Sequence, residues 1–130
     1  AAGNLVCLPL SGRVGGGTPI EALSDPTNHL EIPVSMVGSG EHFALEIVGD
    51  SMVGAGILDG DTVVIQRAET ARHGEIVVAL INQQEATLKT LLKEPGRVGL
   101  EAANPRYETR YFSTDEVEVQ GKLAGLIRNY

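Results

Sequence analysis

Gly74-Glu75-Ile76-Val77-Val78-Ala79-Leu80-Ile81-Asn82-Gln83-Gln84-Glu85-Ala86-Thr87-Leu88-Lys89-Thr90-Leu91-Leu92-Lys93 is the stretch on which the fold turns. Glu75 to Ile81 is an aliphatic run rich in β-branched residues, and it reads as a buried strand. Asn82 to Glu85 is a polar break, after which Ala86 to Lys93 returns beside the first strand as a hairpin. Side chains alternate across a strand, so Thr87, Lys89 and Leu91 share one face while Leu88, Thr90 and Leu92 share the other. Lys89 is therefore a cation set among apolar neighbours, where an ammonium is costly to bury.

The same pattern of short strands and turns extends on both sides. Ala44 to Val48 reads as a strand running into a Gly49-Asp50-Ser51 turn, and Ile57-Leu58 leads through Asp59-Gly60-Asp61 to Thr62–Ile65. Val98 to Leu100, Val117 to Val119 and Leu123 to Ile127 complete the set. Sixteen glycines and six prolines suit frequent turns, and there is neither an internal repeat nor a long helical pattern. The fold class expected is mostly β, a compact and strongly bent domain. A length of 130 residues fits one domain with one core. Aromatic residues are 4% against 42% hydrophobic, so the core must be made of Val, Ile, Leu and Ala. Residues 1–42 read as an N-terminal arm preceding a core over residues 43–130. In that arm Gly15-Gly16-Gly17 and Thr18-Pro19 are flanked by Leu5, Val6, Leu8, Val14 and Ile20, the pattern of an adaptable segment that docks into a groove.

Several function classes are disfavoured. The formal net charge is −7, with Lys and Arg scattered, so direct DNA binding by this chain is not expected. The longest aliphatic stretch is far below the roughly 20 residues that cross a bilayer, and no basic-then-apolar leader pattern opens the chain. A soluble, cytoplasmic protein without membrane contact is expected. Cys7 is the single cysteine and has no intramolecular partner; it reads as a small buried hydrophobe or a bystander in the arm. His29, His42 and His73 lack metal-site spacing and read as surface or turn residues, so neither metal nor cofactor is expected. Gly15-Gly16-Gly17 lacks the Lys and Ser/Thr of a phosphate-binding loop.

What remains is a nucleophile and a base. Ser51 sits in a glycine-punctuated turn, 38 positions before Lys89. If they meet, a neutral lysine amine takes the serine proton and creates a nucleophile. A free lysine titrates near 10.4, so acting as a base near neutrality requires destabilising the ammonium by about 4 kcal/mol. Burial is the only source visible in the sequence, because no cation flanks Lys89. Thr87, on the same face, is placed to accept a hydrogen bond from the amine. The turn around Asp50 and Met52 leaves backbone N–H groups for an oxyanion.

Gly49-Asp50-Ser51-Met52, Gly56-Ile57-Leu58-Asp59-Gly60-Asp61, Gly74-Glu75-Ile76-Val77-Val78-Ala79 and Ala86-Thr87-Leu88-Lys89-Thr90-Leu91 together resemble the self-cleaving domain of LexA-type SOS repressors. The ending Gly121 to Asn129 is similar to that family's last strand, and Leu8 to Val14 resembles the approach to its cleavage site. Phage repressor C-terminal domains and UmuD-type polymerase subunits share the Ser and Lys motifs. The resemblance implies the β fold of the LexA and signal-peptidase type, with Ser51 as nucleophile and Lys89 as general base. It implies an oxyanion hole from backbone N–H groups at Ser51 and its neighbour, and Thr87 orienting the amine. It further implies a homodimer, activation by a RecA–single-stranded DNA filament, and a winged-helix DNA-binding domain that this stretch lacks. The cleaved bond of the family is usually Ala-Gly, and alignment places it at Gly16-Gly17. Glycine on the acyl side costs about 0.5–1 kcal/mol more to order, so slow cleavage is expected. The alternatives are a cleavage-impaired dimerisation and RecA-docking module, or a relative of the UmuD or phage-repressor kind; a soluble peptidase acting on other proteins is disfavoured.

Overall fold

A computed structural model describes residues 4–15, 18–19 and 28–130. Ten strands occur among them: β1 (Leu5–Val14), β2 (Thr18–Pro19), β3 (Asn28–Pro33), β4 (His42–Ile47), β5 (Thr62–Arg67), β6 (Ile76–Ile81), β7 (Glu85–Glu94), β8 (Arg97–Glu101), β9 (Arg110–Phe112) and β10 (Val117–Ile127). Single 3-10 turns lie at Val34–Met36 and Val53–Ala55, and the described residues contain no α-helix. The mostly-β expectation holds. No helix among the described residues is long and apolar enough to cross a membrane.

The strands form one mixed sheet in the order β3-β1-β4-β5-β10-β6-β7-β8-β9, with β2 beside β7. Only β1 and β4 run parallel among the described pairs. The hairpin foreseen at Asn82 to Glu85 is present, and Asn82 and Gln83 both take positive φ (52° and 58°), the hand that matches strand twist in tight hairpins.

Both faces of the central strands are buried, which is why Val63-Val64-Ile65 and Ile76 to Ile81 read as unbroken apolar runs. Val63, Ile65, Val78, Ala86 and Leu88 pack with Val14, Phe43, Leu45, Ile47 and Met52 on one side. Val77, Ala79, Ile81, Leu91 and Leu100 form a second cluster with Ala71, and Val64 joins Leu8 and Ile32 in a third. The N-terminal region expected as an arm thus supplies β1 and β3 to the sheet, and Val14 and Ile32 are buried.

Other details differ from the sequence reading. Val117 to Ile127 is one strand, not two, because β10 slips register against β6 between Val119 and Gly121 and against β5 between Leu123 and Gly125. Such bulges bend a strand while continuing it. Gly121 is required at the closest approach, since a Cβ there would meet Ile65 Cγ2 at 2.4 Å and the Gln66 carbonyl oxygen at 2.6 Å. β9 was not foreseen; its three residues carry too little pattern. His42 is buried, with Nδ1 3.0 Å from the Gly40 carbonyl oxygen, rather than at the surface. Of the two readings of Cys7, the exposed position on β1 fits the bystander and not the buried hydrophobe.

Candidate active site

Ser51 is carried by the turn that follows β4. The chain leaves the sheet at Gly49, whose φ of 92° suits glycine and whose N–H donates to Asp59 Oδ1 at 2.7 Å. Two residues after Ser51's predecessor, the side chain of Met52 is sunk into the first core cluster and anchors the turn from below. The turn is also held by the loop between β8 and β9. Asn104 Nδ2 donates to the Asp50 carbonyl at 2.9 Å, and the Tyr107 hydroxyl donates to Asp50 Oδ1. The Gly54 N–H donates to the Ala103 carbonyl at 2.7 Å, an approach open only to glycine because a Cβ there would lie 2.5 Å from that oxygen. Farther along, Asp61 accepts two 2.8 Å bonds from Arg128, which hold its carboxyl down at about 2 and tie the chain beyond β10 to the same region.

Lys89 comes from the middle of β7, opposite Val77 of β6, and Thr87 stands opposite Ala79. That face is the one covered by the second core cluster. Lys89 is only 8% exposed, Ser51 8% and Thr87 2%. Lys89 Nζ lies 3.3 Å from Ser51 Oγ and donates to Thr87 Oγ1 at 2.7 Å. The Thr87 hydroxyl spends its own proton on the Gly15 carbonyl at 2.9 Å. Its oxygen is therefore an acceptor toward Lys89, which pins one amine N–H and leaves the lone pair of a neutral amine free to face elsewhere.

Burial pushes the Lys89 amine down from 10.5 to about 8; the Arg110 guanidinium pushes the same way, and Glu85 opposes both. Burial is the larger cause, as the sequence suggested, but the added cation was missed because Arg110 arrives from β9. Asp50 is turned to Tyr107, so its side chain is occupied in bracing the turn. Among the described residues no hydrogen bond engages the backbone amides of Ser51 or Met52.

Gly16 and Gly17 lie outside the described residues, but their neighbours on both sides are placed. Gly15 is bonded to Thr87, and β2 pairs Thr18 with Ala86 and Pro19 with Glu85. Beside Lys89 and Thr87 opens a cavity of about 380 Å³, lined also by Ile81, Leu100, Arg106, Tyr107, Glu108 and Arg110. No group of His, Cys, Asp or Glu suited to holding a metal occurs among the described residues.

Asn104, Tyr107 and Arg110 were not singled out from sequence. Asn104-Pro105 signalled a turn, yet nothing local pointed to Asp50, 54 positions upstream. A buried amine whose pKa is lowered to about 8, within reach of a serine hydroxyl, can perform base-assisted acyl transfer. Over residues 9–124 the chain matches the family described as Peptidase S24-like. The match starts inside β1 and ends inside β10, so it takes in the Ser51 turn, the β6–β7 hairpin and the loop that braces them. Shared over nearly the entire sheet rather than at one motif, this likeness means that the chain belongs to the peptidase S24-like family of serine peptidases.

Proposed function

We propose that the chain is the self-cleaving and dimerising domain of a LexA-like repressor of the SOS response, cutting its own Gly16-Gly17 bond with a Ser51–Lys89 dyad. The observation that carries the reading is the buried Lys89 amine, 3.3 Å from Ser51 Oγ and aimed by Thr87. The bond that the Gly15 carbonyl accepts from Thr87 and the pairing of Thr18 with Ala86, on either side of the glycine pair, support the choice of scissile bond.

In this reading neutral Lys89 takes the Ser51 hydroxyl proton as Oγ bonds to the Gly16 carbonyl carbon. The oxyanion that forms is met by the amides of Ser51 and Met52. The bond to the Gly17 nitrogen then breaks, and Lys89 delivers its proton to that nitrogen. Water attacks the resulting ester on Ser51, with Lys89 again removing and returning the proton. With the amine titrating at about 8, roughly a tenth of it is neutral at pH 7. Cleavage is therefore slow at neutrality, rises with pH and levels off above about pH 9. A RecA–single-stranded DNA filament would stimulate it by favouring the docked, water-excluded loop. The partner chain in the homodimer would be a second copy of this domain.

Mass spectrometry after incubation at pH 7 and pH 10 tests this. Two fragments meeting at Gly16-Gly17 are expected at pH 10, and none from Ser51→Ala or Lys89→Ala. Cutting that survives either substitution removes that residue from the mechanism. A single intact mass at pH 10, beside a Gly16→Ala chain that is cut, would leave the dyad active but this chain not its substrate. The protein would then act as a dimerisation and RecA-docking module.

A further inference from the structure

Arg110 is held from two sides. Its Nη2 lies 3.3 Å from Glu85 Oε1, and its guanidinium stacks 5.0 Å from the centre of the Phe112 ring. It lines the cavity that Lys89 also lines. Glu85 opens β7, the strand that carries Thr87 and Lys89, and its Cα is paired with Pro19 of β2. A cation bridges the strand bearing the base and the strand edging the cavity.

We infer that Arg110 is a positioning residue of the peptidase site: clamped by Glu85 at the cavity wall, it keeps the Lys89 amine in its proton-accepting form. The inference rests on the Ser-Lys reading of the site. Among the described residues the charged and titratable groups around the amine are few. Glu85 comes from β7, Arg106, Tyr107 and Glu108 from the loop before β9, Arg110 from β9, and Asp50 from the serine turn. Asp50 is already engaged by Tyr107. Glu85 favours an ammonium at Lys89 and Arg110 disfavours one. The ion pair fixes the Arg110 guanidinium at the wall of the cavity that Lys89 lines, where its standing positive charge offsets the Glu85 carboxylate. A guanidinium suits this task because it stays charged across the whole range in which a lysine titrates.

The test uses two readouts. In the uncleavable Ser51→Ala protein, the Lys89 amine is titrated by NMR of its side-chain nitrogen, alone and combined with Arg110→Gln, Arg110→Lys or Glu85→Gln. Arg110→Gln is expected to move the midpoint up by about half a pH unit or more, leaving about threefold less neutral amine at pH 7. Arg110→Lys is expected to restore the midpoint, and Glu85→Gln to move it down. In the cleaving chain, the pH of half-maximal self-cleavage should rise with Arg110→Gln and return with Arg110→Lys. A rate lowered at every pH with an unmoved midpoint would mean a merely structural role and overturn the inference. So would an unchanged NMR titration. If the unsubstituted chain never cleaves, the proposed function falls, while the NMR titration still decides the role of Arg110.

Discussion

Removing the Lys89 charge should stabilise this protein while destroying its proposed chemistry. The amine titrates at about 8 in the fold and at its ordinary 10.5 when exposed. Between those values the unfolded chain binds more protons than the folded one, so stability rises with pH across that window. Below about pH 8 the full penalty for holding the ammonium is present, about 3 kcal/mol. Lys89→Met keeps an unbranched chain of similar length without the charge. It also takes the amine donor away from Thr87, a loss of about 1 kcal/mol. The net gain at pH 7 is about 2 kcal/mol, or a rise in Tm of roughly 5–10 °C for a domain of this size. The comparison is made by urea denaturation of Ser51→Ala and Ser51→Ala/Lys89→Met, so that self-cleavage does not intervene. At pH 10.5 the gain should vanish or reverse, because the amine is then neutral in the fold and half neutral in the unfolded chain, which leaves a penalty of only about 0.4 kcal/mol. A methionine variant less stable at pH 7, by the same amount at both pH values, would show that the amine is not held against its charge.

Two other perturbations follow from the geometry of the turn and the sheet. Asn104→Ala frees the Asp50 carbonyl and loosens the serine turn; self-cleavage should slow about tenfold, the equivalent of about 1.4 kcal/mol, at every pH. Rates followed by gel densitometry should show an unmoved pH midpoint, and a shifted midpoint would mean that Asn104 acts on Lys89 instead. Gly121→Ala forces a methyl against Ile65 and the Gln66 carbonyl, and urea titration should show a loss of about 1–3 kcal/mol. An unchanged midpoint of unfolding would mean that β10 can shift away from β5 at no cost.

Much of the fold could be read from local pattern. Strands β4 to β8 were placed because each carries an alternation or an apolar run bounded by Gly, Asp or Asn, and the β6–β7 hairpin follows from its polar turn. The continuity of β10 was missed because Gln120 and Gly121 break its apolar pattern, while the bulges that accommodate them are visible only against β5 and β6. β3 went unread because its six residues, Asn28 to Pro33, acquire meaning only when paired with β1. His42 looked like a surface residue because its burial depends on how neighbouring segments fold over it.

For the site, the amino-acid order alone determined the two chemical groups and the strand face on which Lys89 and Thr87 stand together, since a period of two fixes which side chains are neighbours. It also determined that glycines bracket the serine turn. Only the tertiary structure decided that Ser51 and Lys89 meet, that Asn104 and Tyr107 brace the turn, and that Arg110 adds its charge to burial. The physical reason is range. Strand periodicity acts over a few residues, whereas a lysine loses its proton affinity through desolvation and electric fields from groups that the chain brings together only by folding.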